Sequence, residues 1–163
     1  MRFLSIFFFV VMCGVIDEVN SMMIRYVAKQ KTTKIYKEDI VSAKTPVTEG
    51  QPVTWHKSFD QGELYFGGIV RYKDEEEDLD WSDICVKLID GSSTHLAGEI
   101  LRKTWIPDGS CPVKEGTFKT TNPTDPDYVD LTDPAPKYSF FLDVGYSEDD
   151  LIFSTEYLVQ RVG

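Results

Sequence analysis

The C-terminal stretch of the chain constrains its fold most. Tyr138, Phe140, Leu142, Val144 and Tyr146 fall on every second position, with Ser139 and Asp143 among the residues between them. Ser147-Glu148-Asp149-Asp150 interrupts the pattern, and Leu151, Phe153, Tyr157 and Val159 resume it against Ser154, Glu156 and Gln160. A period of two places one set of side chains on each face of a pleated strand. Two such runs around a short polar break predict an antiparallel hairpin with one buried and one wet face. Such a hairpin needs a second layer to cover it, as in a sandwich of antiparallel sheets.

The rest of the chain supplies that layer. Residues 64–72 are aromatic and β-branched and read as a strand. The Gly67-Gly68 pair inside it predicts a bulge or a close backbone approach. Residues 84–89 read as a short strand ended by Asp90-Gly91, and residues 24–29, 34–41 and 117–121 as fainter ones. Thr45-Pro46 and Gln51-Pro52 bound a turn region around Gly50. The acidic run 74–78 reads as a solvated loop, because its spacing lacks the ligand pattern and turn glycine of a calcium loop. Residues 122–136 hold Pro123, Pro126, Pro134 and Pro136 and read as a long loop. One helix is expected, capped by Ser93 or Thr94, with Leu96, Ile100, Leu101 and Trp105 on one face and Ile106-Pro107-Asp108-Gly109 ending it. The expected fold class is all-β: a sandwich of two antiparallel sheets with one short helix.

The first residues stand apart. Arg2 precedes a nearly unbroken apolar run from Phe3 to Ile16, closed by Asp17 and Glu18. The run is too short to span a membrane and reads as a secretory signal, removed after Ser21 or, alternatively, after Gly14. The competing reading is a buried N-terminal helix, although the run from Ile6 to Val11 has no polar face. The expected organisation is therefore a signal peptide at 1–21 and one domain at 22–163. Loss of residues 1–21 removes one cation and two anions, so the formal charge of −10 becomes −9. Such a balance repels nucleic acid, which is excluded as a partner. The charge is uneven, since Arg25, Lys29, Lys31, Lys34, Lys37, Lys44 and Lys57 face only Glu38, Asp39 and Glu49 in residues 22–57. Of the three cysteines, Cys13 leaves with the signal. Cys85 and Cys111 then read as one disulfide of a secreted protein, the alternatives being a free thiol or an intermolecular bridge.

Chemistry-bearing motifs are scarce. The chain has no Gly-x-Ser-x-Gly elbow, no phosphate-cradling Gly-Lys-Ser/Thr loop and no His-Glu-x-x-His. His56 and His95 read as solvated loop residues without metal-ligand neighbours. No enzymatic activity, metal or cofactor is expected. The composition is 13% aromatic, with much of it on the inward faces of strands, and this pattern fits a filled core and an apolar cavity equally.

The cysteine neighbourhoods narrow the reading. Trp81-Ser82-Asp83-Ile84-Cys85-Val86-Lys87-Leu88 leads through the helical stretch to Ser110-Cys111-Pro112-Val113-Lys114-Glu115-Gly116-Thr117-Phe118. Together with the tyrosine-rich last hairpin, these segments resemble the ML lipid-recognition family, in particular its insect ganglioside-activator-like branch. The resemblance covers roughly residues 60–163, and the matching positions Cys85, Cys111, Pro112 and Gly116 are structural. It implies an immunoglobulin-like sandwich whose sheets part around an apolar cavity for a sterol, a fatty acyl lipid or another hydrophobic ligand. Under it, Phe66, Val70, Ile84, Val86, Leu96, Ile100, Trp105, Phe140, Leu142, Val144, Phe153 and Tyr157 are the expected lining. His56, Arg71 and Lys103 are candidates to orient a head group at the rim. The implied partners are a hydrophobic small molecule or lipid and, transiently, a membrane surface or receptor. The alternative is a secreted interaction module with a filled core and an acidic docking surface.

Overall fold

The computed structural model describes residues 22–45, 47, 50–88, 91–120, 129–131 and 135–162. The expected signal peptide and its cleavage point lie outside them. The C-terminal hairpin is present as β8 (Lys137–Ser147) and β9 (Asp150–Val162). Ser147 pairs with Asp150 around a two-residue turn. Tyr138, Phe140, Leu142 and Val144 are buried, as the alternation requires. The return strand differs at one point. Val144 pairs with Phe153 and Gly145 with Leu151, so Ile152 is an extra residue. Such a bulge resets the pleat. Ile152 and Phe153 are both buried, and Leu151, expected on the inner face, is only half-buried.

Four further strands complete a six-stranded antiparallel sheet. They are β1 (Met22–Ile35), β4 (Tyr65–Tyr72), β5 (Glu75–Asp83) and β7 (Val129–Leu131), in the order β5-β4-β8-β9-β1-β7. The two faint N-terminal strands are largely one, because a register shift between Gln30 and Thr32 lets β1 continue. Residues 36–40 turn the chain into β2 (Val41–Ala43), which with β3 (Pro52–Trp55) and β6 (Gly116–Lys119) forms a three-stranded antiparallel sheet in the order β2-β3-β6.

Three sequence expectations are corrected. The acidic run is a strand rather than a loop. Lys73 and Asp74 take φ of 49° and 65°, which matches the tight turn between paired Tyr72 and Glu75. Glu75 to Asp78 then follow as the exposed start of β5, supported by the Arg71–Glu76 ion pair and by the Tyr72 hydroxyl donating to Glu77. Residues 84–88 are not a strand: the Asp83 carboxylate accepts the Cys85 N–H at 2.8 Å and turns the chain away from the sheet. Within the proline-rich stretch, Val129–Leu131 escapes the prolines and pairs with residues 22–24.

The helix, α1 (Ser93–Trp105), is capped one residue earlier than expected, by the Ser92 hydroxyl accepting from His95 N. Arg102 and Lys103 lie in its last turn, and a single 3-10 turn over Pro107–Gly109 follows. The helix packs over β4 and β5. Gly98 makes this possible, because the Phe66 ring lies 3.1 Å from where a β-carbon would stand. Gly67 and Gly68 show both features foreseen for them. The β4–β5 register shifts there, a β-carbon on Gly67 would overlap the Trp81 ring, and Gly68, at φ 137°, lies against the Phe141 carbonyl.

Candidate apolar site between the layers

The inner face of the six-stranded sheet is covered by α1 and the three-stranded sheet. Their aromatic residues meet at the centre. The Trp105 ring stacks on Phe153 with centroids 4.2 Å apart, and Trp55 meets Phe59 and Phe153 edge-on at 5.7 and 6.4 Å. The polar atoms of these rings are satisfied inside. Trp55 Nε1 donates to the Trp105 carbonyl at 2.7 Å, and Trp105 Nε1 donates to the Tyr157 hydroxyl at 2.9 Å. A buried donor without a partner is costly, so each bond holds one layer to the next. Burial raises the Tyr157 phenol well above its ordinary range, outweighing the donors around it, and it stays neutral.

Eleven of the twelve expected lining residues come together here. Phe66, Val70, Ile84, Leu96, Ile100, Trp105, Phe140, Leu142, Val144, Phe153 and Tyr157 are each at most 1% exposed. Side chains covered to this degree pack on one another. Val86 is the exception. It is 37% exposed, because the turn after β5 carries it outside. Sequence reasoning missed Trp55 and Phe59, both fully buried. The alternation of Val53 and Trp55 with Pro52 and Thr54 was the available signal.

Cys85 and Cys111 are joined, with Cα atoms 5.5 Å apart. The bridge ties the turn after β5 to the segment after α1, and so holds the helix over the sheet. Next to it, Arg102 is buried on the helix. Its guanidinium pairs with Glu99 at 2.6 Å and donates to the carbonyls of Ile84 and Val86 at 3.0 and 3.2 Å. A planar fork of donors suits this clamp on two carbonyls. Beyond the cysteine, the Cys111–Pro112 bond is cis, and Val113 and Phe59 exchange backbone hydrogen bonds of 2.9 Å.

The three rim candidates do not converge. His56 is exposed after β3, with Nε2 2.9 Å from Ser42 Oγ. Arg71 lies on the outer face of the large sheet, over the Phe141 ring at 4.8 Å. Only Lys103 borders an opening beside the covering layer. With Ile106, Asp108, Gly109, Phe118 and Lys119 it lines a surface hollow of about 410 Å³ at the end of α1. His95, expected in a loop, is buried on the helix, and Gly91 N donates to its Nδ1 at 3.3 Å. Among the described residues no group of His, Cys, Asp or Glu is arranged to hold a metal ion, and no helix is long and apolar enough to cross a membrane.

No protein-family model matches the chain, and no curated protein matches it in sequence.

Proposed function

We propose that this is a secreted, non-enzymatic binder of a hydrophobic ligand, an ML-like and immunoglobulin-like sandwich that takes a sterol, a fatty acyl chain or a similar apolar molecule between its layers. One observation carries the reading. The apolar interior lies between two sheets that no hydrogen-bonded ladder joins among the described residues, so the layers can part without breaking a strand pairing. A ligand enters by shifting α1 and the small sheet from the large one. Each buried methylene contributes about 0.8 kcal/mol, so a chain of about a dozen offers roughly 10 kcal/mol before the costs of binding. That is comparable to the roughly 5–15 kcal/mol that stabilises a whole domain. The hollow at the end of α1 is the mouth in this reading, with Ile106 and Phe118 as its apolar floor and Lys103 orienting a polar head.

The closed packing of Phe140, Val144 and Phe153 also favours a second reading, a solid interaction module that works through its surface. One set of measurements separates the two. Protein purified from its own cells is analysed by native mass spectrometry and lipid extraction, and then titrated with a fluorescent fatty acid and a fluorescent sterol. Co-purifying lipid and saturable probe binding, altered in Phe140→Ala, support the ligand reading. Absence of both, with Phe140→Ala losing about 3–5 kcal/mol of stability, leaves the interaction module.

A further inference from the structure

The apolar interior encloses a cluster of neutral polar groups. Trp105 Nε1 donates to the Tyr157 hydroxyl at 2.9 Å, and both residues are at most 1% exposed. The hydroxyls of Thr104 and Thr155, also buried, stand by the same phenol oxygen. From β1, Gln30 Nε2 donates to Thr155 Oγ1 at 2.7 Å and to Thr33 Oγ1 at 2.5 Å. No member of this cluster carries a charge. Arg102, the buried cation of α1, is taken up by Glu99 and the carbonyls of Ile84 and Val86.

Two indole bonds behave differently when the layers part. The bond from Trp55 to the Trp105 carbonyl lies within the covering layer, whereas the bond from Trp105 to Tyr157 joins that layer to the large sheet. A shift of α1 and the small sheet together keeps the first and breaks the second. A wholly hydrocarbon ligand in the gap would leave a buried indole N–H and a buried phenol without partners, which is costly. A ligand hydroxyl between them accepts from the indole and donates to the phenol oxygen, so both are satisfied. A carboxylate in the same place would be stripped of water with no cation to pair it.

We infer that the ligand is an acyl chain bearing an uncharged hydroxyl within its hydrocarbon, and that Trp105 and Tyr157 select it by closing their broken hydrogen bond through that hydroxyl. This rests on the lipid-binding reading and names the class of lipid. The head group stays at the mouth beside Lys103, and the hydroxyl is read deep between the layers. A site whose buried polar groups need a ligand hydroxyl discriminates strongly against the analogue that lacks it.

Displacement of a fluorescent fatty acid from the full chain, by stearic acid and by its monohydroxy isomers in turn, tests this. The isomers whose hydroxyl reaches the cluster should bind at least about tenfold more tightly than stearic acid, the equivalent of one recovered hydrogen bond. Tyr157→Phe should lose most of that preference and still bind stearic acid. The positional series keeps the test decisive even where the variant fails to fold, because a hydroxyl favoured equally at every position is not read by a fixed site and overturns the inference. Stearic acid binding as tightly as every isomer overturns it too and leaves the lipid-binding reading standing. So does a preference that Tyr157→Phe keeps whole, which would place the hydroxyl elsewhere. Binding of neither stearic acid nor its isomers overturns the inference and the lipid-binding reading together.

Discussion

Trp105 on α1 donates its indole N–H to the phenol oxygen of Tyr157 on β9 across 2.9 Å, and both side chains are sealed from water. This single bond spans the interface between the helical layer and the large sheet. In Tyr157→Phe the indole N–H keeps its burial and loses its acceptor. A loss of about 1–3 kcal/mol is expected in urea unfolding, and Trp105→Phe on the same background should add less than it does alone.

The same residue makes stability fall in alkali. The phenol's ordinary value is 10.0, and burial raises it in the folded protein. Above that pH the unfolded chain has lost the proton that the folded chain keeps, so stability declines as pH rises through about 10, by up to about 1.4 kcal/mol per pH unit for this group. Below that pH its contribution is constant. Unfolding midpoints measured between pH 8 and 12 should fall less steeply above about pH 10 in Tyr157→Phe.

The Cys85–Cys111 bridge closes a loop of 26 residues that contains α1. In the chain-entropy model such a closure contributes on the order of 3–4 kcal/mol. Labelling of unfolded, unreduced protein should find neither thiol free. The Cys85→Ser/Cys111→Ser pair should lower the unfolding free energy by about that amount, with the near-ultraviolet signal of Trp105 weakening as the helix loosens over the sheet.

Gly67 and Gly68 should tolerate no side chain. Alanine at 67 collides with the Trp81 ring, and alanine at 68 meets the Phe141 carbonyl at a φ of 137°. Overpacking of this kind costs about 1–3 kcal/mol. Gly68→Ala should be the worse of the two, because a ring can swing aside while a strand carbonyl is held in its ladder. Thermal unfolding of the two variants checks the order.

The amino-acid sequence by itself determined the last hairpin, the helix, the cysteine pair and most of the residues they turn inward, though not the bulge that buries Ile152 in place of Leu151. These follow from local rules, because the period of a pleat or a helix is set by bonds within one segment. Tertiary structure decided the rest. It made residues 75–78 a strand, because pairing with Arg71 and Tyr72 outweighs their mutual repulsion. It carried Val86 outside, because Asp83 turns the chain by a hydrogen bond that no periodicity encodes. It also closed the interior, by bringing Trp55 from one sheet, Trp105 from the helix and Phe153 from the other sheet onto one another. Periodicity says which side a residue faces, and only the meeting of distant segments says what stands opposite it and how much space is left between them.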